Sequence, residues 1–157
     1  MSPPIRVLVV EDSITVRKRI VEALAEDPEL AVVGEASDGQ EGVALCQRLR
    51  PDVVTLDMMM PVMTGVEATE RIMAWCPTPI LIVSASTNRG ELFRTYDALS
   101  AEAVDVLDKP SGRGDDAGWE ARLRSTVKLV SRIKVITHLR GRLGPVGRTG
   151  GAEPAAA

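Results

Sequence analysis

Hydrophobic and polar positions along the chain switch repeatedly between two periods. After Pro3-Pro4, Ile5–Val10 is a continuous apolar run and predicts a strand. Ser13 then fits the N-cap of a helix over 14–26, with Ile14, Ile20, Val21 and Leu24 toward the core and Pro28 just past its end. Leu30–Ala36 predicts a second strand. Ser37-Asp38-Gly39 opens a helix that runs through Leu49 and stops before Pro51. Residues 53–56 read as a third strand, 66–75 as a third helix, 79–83 as a fourth strand, 90–100 as a fourth helix and 103–107 as a fifth strand. A last helix is predicted over 116–139. Strand and helix thus alternate five times. Strands that are apolar on both faces imply a parallel sheet covered by helices on each side, an α/β doubly wound fold. Right-handed crossovers leave few topologies.

Polar residues of particular types stand at the ends of these runs. Asp57 directly follows the run 53–56 and precedes the turn-forming Pro61 and Gly65. Glu11-Asp12, Ser84 and Lys109 each follow another apolar run. In open α/β sheets the carboxyl edge is where ligands bind. If strands one and three are neighbours, Glu11, Asp12 and Asp57 come together, and their mutual repulsion raises their pKa values unless a cation intervenes. Mg²⁺ suits such a site, because it takes oxygen ligands and is commonly held by one or two carboxylates plus a phosphate. Asp57 could then attack phosphorus and form an aspartyl phosphate. Lys109 would place a second positive charge on the phosphoryl oxygens, and Ser84 would offer them a hydroxyl. Pro110 keeps Lys109 out of helical geometry and permits a cis bond. Taken singly, a Glu-Asp pair reads as a solvated turn, a Lys-Pro as a loop and a Ser after a strand as a cap. Their joint placement at four strand ends is the signal.

Composition narrows the class. A chain of 157 residues with 45% apolar content is enough for one domain with a sizeable core. No run approaches a membrane span, and the start, Met1-Ser2-Pro3-Pro4, lacks the basic region of an export signal, so the expected location is cytoplasmic. Cys46 and Cys76 lack metal-binding spacing and are expected to be reduced, small apolar core residues. The lone His138 lies in a basic stretch and is expected to be solvated or packed. Residues 1–120 carry 11 Lys and Arg against 21 Asp and Glu, whereas 121–157 carry 8 against one. The basic segment has no interleaved aromatics, which argues against a nucleic-acid surface. The plainer expectation is a helix that complements its own acidic domain. Residues 140–157 are rich in Gly, Pro and Ala and read as a flexible tail or interdomain linker after a domain over 1–139.

These residues carry a resemblance. The segments Val7-Leu8-Val9-Val10-Glu11-Asp12-Ser13, Asp57-Met58-Met59-Met60-Pro61-Val62-Met63-Thr64-Gly65, Ser84-Ala85 and Lys109-Pro110 make residues 5–138 resemble the receiver domain of two-component response regulators. The resemblance implies a flavodoxin-like sheet of order 2-1-3-4-5, with Asp57 as phosphoacceptor. It implies Mg²⁺ held by Glu11, Asp12, Asp57 and the backbone carbonyl of Met59, with Lys109 and Ser84 completing the site. A histidine kinase as donor and a downstream output domain or protein are implied partners; a homodimer is left open. The Met-rich segment after Asp57, the run Ile80-Leu81-Ile82-Val83-Ser84-Ala85-Ser86-Thr87 and the stretch from Ala103 to Pro110 are similar to the regulatory branch of chemotaxis protein-glutamate methylesterases. The esterase domain that follows in that branch, with its serine nucleophile, has no counterpart in these residues. Two departures are visible. Many receivers place an aromatic switch residue three positions before the lysine, where Val106 stands here, and position 11 is Glu where Asp would also serve.

Other readings fare worse. An aspartate-nucleophile phosphatase wants a second acid two residues after the nucleophile, and Met59 cannot protonate a leaving group. A dinucleotide site wants glycines after strand one, and Glu11-Asp12-Ser13-Ile14-Thr15-Val16 has none. A stand-alone receiver that acts as a protein–protein interaction module remains the alternative.

Overall fold

The computed structural model describes residues 2–85, 97, 99, 103–110 and 116–135. Strands β1 (Ile5–Val10), β2 (Leu30–Ala36), β3 (Val53–Asp57), β4 (Ile80–Ser84) and β5 (Asp105–Asp108) form one sheet in the order β2-β1-β3-β4-β5. Every neighbouring pair is parallel. The helices are α1 (Ile14–Ala25), α2 (Gly39–Leu49), α3 (Gly65–Trp75) and α4 (Asp116–Ser131). The helix expected over 90–100 falls outside the described residues except for Asp97 and Leu99, which are both helical, so α4 denotes the last helix.

The sheet is buried on both faces because alternate residues of each strand point to opposite sides. Leu8, Val10, Val54, Leu56, Ile80 and Ile82 pack against Cys46 of α2 and Ala68, Ile72 and Met73 of α3. Val7, Val9, Val53, Leu81 and Val83 pack against Ile20 and Leu24 of α1 and Trp119, Leu123 and Val127 of α4. Each such aliphatic or aromatic side chain contributes about 1.5–3 kcal/mol on burial. The central strands therefore read as unbroken apolar runs, while the edge strand β5 exposes Asp105 and Asp108. Charged edges of this kind discourage pairing with another chain.

The starts of α1, α2 and α3 are set by side-chain caps. Ser13 Oγ accepts from the Val16 amide at 3.3 Å, Asp38 Oδ1 from Glu41 at 2.8 Å and Thr64 Oγ1 from Glu67 at 3.2 Å. Arg6 Nη1 donates to the carbonyls of Leu49 and Arg50 and so covers the end of α2. Cys46 and Cys76 are both buried as expected, although the fold brings them close, with Cys46 Sγ 3.9 Å from the Cys76 carbonyl. The Lys109–Pro110 bond is trans.

Two expectations were wrong. Ile14 does not face the core; it is 73% exposed. It sits six residues before Ile20, roughly a third of a turn round from the buried stripe, and the cap at Ser13 fixes that phase. The last helix ends at Ser131 instead of continuing to 139. Arg132 and Ile133 make tighter bonds to Leu129 and Val130, Ser131 Oγ donates to the Lys128 carbonyl, and Val135 then packs on the cluster across the sheet. A chain that must reach that face cannot continue straight. His138 and the segment 140–157 lie outside the described residues. Among the described residues no helix is long and apolar enough to cross a membrane.

Candidate functional site

All five strands run the same way, so their carboxyl ends share one edge. Val10 of β1 is in register with Leu56 of β3, and the next residues along are Glu11 and Asp57. The neighbour relation on which the carboxylate cluster depended is therefore present. Carboxylate oxygens of Glu11, Asp12 and Asp57 all lie within 4.8 Å of one another. Glu11 and Asp57 are buried, while Asp12 is exposed at the mouth. From β5, Lys109 Nζ reaches Asp57 Oδ1 at 3.0 Å and Glu11 Oε1 at 3.4 Å. Ser84 ends β4 and is buried, one residue beyond Val83, the register partner of Asp57. The structure thus joins Glu11, Asp12, Asp57 and Lys109 in one cluster and sets Ser84 at the same edge. The Met59 side chain points to solvent, which leaves only its backbone for the site.

The local chain explains this placement. Glu11 Oε2 accepts from the Ser13 amide at 3.0 Å, and the Glu11 carbonyl accepts from Arg17 Nη1 at 2.8 Å, so the start of α1 holds the acid. After Asp57 the chain must turn back into α3. The Gly65 amide donates to the Met58 carbonyl at 2.9 Å, and a Cβ on Gly65 would stand 2.5 Å from the Asp57 carbonyl oxygen. Only glycine allows that approach. The Met63 amide bonds to the Pro61 carbonyl at 2.7 Å across Val62, which has a φ of 72°. This is a γ-turn centred on an exposed β-branched residue, a strained conformation beside the site.

The electrostatics point to a missing positive charge. Burial, helped by Asp12 and Glu11, pushes the Asp57 carboxyl up to about 8 in the absence of metal, and Lys109 only partly opposes this. Burial likewise raises Glu11. The shallow burial of Asp12 also acts upward, but its bonds to Asp57 and Glu11 outweigh that and hold it low. Glu11 Oε1 and both Asp57 carboxylate oxygens are buried, and outside the three acids themselves their one charged neighbour among the described residues is the Lys109 ammonium. One ammonium does not balance three carboxylates. Orphaned buried oxygens so close together fit a hard divalent cation with oxygen ligands.

Sequence reading alone missed two contributors. Arg17 supports the Glu11 backbone from α1, and Trp119 of α4 donates its indole N–H to the Asp108 carbonyl at 2.6 Å. Neither has a local sequence signal, because both depend on how a helix seats against a distant strand end. Val106, in the position of the aromatic switch, is partly buried against the α2–α3 side of the core.

An open parallel sheet of this order with an acidic cluster and a lysine at its carboxyl edge defines a phosphoacceptor class of domain. Residues 7–115 match the response regulator receiver domain family, and the chain belongs to it. It is 46% identical over 144 residues to protein-glutamate methylesterase/protein-glutamine glutaminase 4 of Myxococcus xanthus, covering 90% of this chain and 40% of that protein. It is 42% identical over 153 residues to the protein of the same activity from Nitrosospira multiformis, covering 96% and 41%. The chain thus spans about two fifths of the length of these relatives. Among solved structures, the response regulator domain of Thermotoga maritima CheB matches with a TM-score of 0.75 at 35% identity, over 83% of this chain and 98% of that one. The chemotaxis response regulator CheY4 of Vibrio cholerae matches with a TM-score of 0.65 at 29% identity, over 82% and 99%. This is a receiver of the CheB-like chemotaxis kind, a phosphoacceptor switch.

Proposed function

We propose that Asp57 is the residue that takes the phosphoryl group, from the phosphohistidine of a histidine kinase, and that the change is read by an output domain. By likeness to the relatives, that output is a protein-glutamate methylesterase. The reading covers residues 1–139 as the receiver and 140–157 as the linker toward the output, and it places the protein in the cytoplasm with its kinase. The supporting observation is that Asp57, buried at the end of the central strand, has Lys109 Nζ 3.0 Å away and two further carboxylates within 4.8 Å.

Asp57 attacks phosphorus through a carboxylate oxygen; the new O–P bond forms as the N–P bond breaks, and the imidazole leaves with the electron pair. For this Asp57 must be ionised, which its surroundings oppose. Mg²⁺ on Glu11, Asp12, Asp57 and the Met59 carbonyl would supply the positive charge that ionises Asp57 and draws in a phosphorylated donor. Lys109 neutralises charge on the transferred oxygens from the other side. The Ser84 hydroxyl donates to a phosphoryl oxygen once the acyl phosphate has formed, and its movement carries the signal toward the β4–β5–α4 side. Catalysis here is positioning plus charge neutralisation.

The test is labelling from acetyl phosphate with Mg²⁺. Asp57→Asn is expected to abolish incorporation while circular dichroism stays that of the folded domain. Undiminished label in that variant would overturn the assignment. Lys109→Ala is expected to keep Mg²⁺ binding and lose the response of the output.

A further inference from the structure

We propose that Trp119 is a positioning residue for Lys109, its indole N–H fixing the edge-strand peptide from which the lysine side chain departs. The proposal rests on the phosphoacceptor reading of Asp57. β5 is the last strand of the sheet, so among the described residues only β4 pairs with it. The Lys109 amide donates inward to the Ser84 carbonyl at 3.0 Å. In a trans peptide the carbonyl points opposite to the amide, so the Asp108 carbonyl faces outward, away from β4, where no strand of the described residues meets it. Trp119, in the first turn of α4, meets it at 2.6 Å. One peptide plane is thereby clamped on both sides, by the residue carrying the Ser84 hydroxyl and by the indole.

The clamp sits where error is amplified. Lys109 must span from the sheet edge to Asp57 and Glu11 in the centre, at 3.0 and 3.4 Å. A swing of the plane at the root of that side chain moves the ammonium by a larger amount at its tip. Trp119 itself has little freedom, because its ring is buried with Leu123 and Val127 against Val83 and Leu81. Anchoring is therefore rigid, and it ties α4 to the lysine through one hydrogen bond.

The experiment uses the full chain, acetyl phosphate and Mg²⁺. Trp119→Phe removes the donor and keeps an aromatic ring. Labelling is expected to slow by about tenfold, with Mg²⁺ affinity unchanged. In a Lys109→Ala background, Trp119→Phe is expected to have no further effect on the rate, since the two residues act as one unit. If Trp119→Phe unfolds, benzothienylalanine at 119, which keeps the indole shape with sulfur in place of N–H, gives the same comparison. A rate equal to wild type, an equal effect with and without Lys109, or a parallel loss of Mg²⁺ affinity would each overturn the proposal. Wild-type chain that takes no label at all would instead remove the underlying reading of Asp57. Trp75, half-exposed at the end of α3, is the only other tryptophan. A Trp75→Phe chain is expected to label normally and to show a Trp119 emission change on adding beryllofluoride, a stable phosphoryl mimic.

Discussion

Folding carries Asp57 from an ordinary carboxyl pKa of 3.8 to about 8, chiefly through burial. The folded, metal-free protein therefore holds a proton that the unfolded chain has already released. The contribution of Asp57 to stability is fully present below pH 3.8 and is lost as pH rises through about 8. Glu11 is raised for the same reason and adds the same sign. Asp27 works oppositely, because Lys128 holds it low; its contribution is complete above 3.8 and fades only in acid. Between pH 5 and 8 the acidic cluster thus dominates. In EDTA the thermal midpoint should fall across that range, and Mg²⁺ should restore it, most strongly at pH 8. Asp57→Asn should flatten the profile. A flat wild-type profile in EDTA would mean that the carboxylates do not repel in this way. Val62 gives a second residue-scale prediction. Its φ of 72° costs a β-branched residue about 1–3 kcal/mol, so Val62→Gly should stabilise by about 1 kcal/mol after glycine's greater unfolded entropy is deducted. A denaturant melt measures this. The carboxylates and Lys109 were legible in the sequence because each closes an apolar run. The positive φ of Val62 was not, since no local pattern marks a β-branched residue for that region.

α3 owes its position to an approach that no other residue permits. Alanine normally favours a helix over glycine by about 1 kcal/mol. At position 65, however, its methyl would stand 2.5 Å from the Asp57 carbonyl oxygen and press on Met58. Gly65→Ala should therefore destabilise, by about 1–3 kcal/mol, and should also weaken Mg²⁺ binding by displacing the Asp57 backbone. A stabilised Gly65→Ala variant, read by thermal melting and Mg²⁺ titration, would show that helix propensity outweighs packing here. The strands and most helix starts were legible because apolar runs and capping residues are local. The sheet order followed from the family resemblance, not from periodicity. What failed was phase and length. A helix spacing shows a stripe but not where the first residue falls on it, which cost Ile14. It also cannot register that Val135 has a seat on the far side of the sheet, which ends α4 at Ser131.

The charge split between the acidic body and the basic C-terminal part has its counterpart in the fold. α4 lies beside the acidic turn between α1 and β2. Lys128 Nζ stands 2.6 Å from Asp27 and 2.8 Å from Glu29, and Arg124 reaches Glu26 at 3.4 Å. Arg124 also donates to the Ala23 carbonyl near the end of α1, which joins the first and last helices through backbone as well as charge. Arg124 and Lys128 of α4 thus complement the acidic turn of their own domain, and no foreign polyanion is needed to explain these two residues. These pairs sit at the surface, where salt screens them over about 10 Å at 0.1 M. Lys128→Ala should lower the thermal midpoint at low ionic strength, and the difference from wild type should shrink in 1 M salt. Arg124→Ala should retain part of its effect there, because the bond to the Ala23 carbonyl is not an ion pair. Since α4 also carries Trp119 at its other end, loosening it from α1 should slow labelling of Asp57 less than Trp119→Phe does. Equal slowing by Lys128→Ala would place the control of Lys109 in the whole helix, and an unaltered rate in both variants would remove α4 from the account.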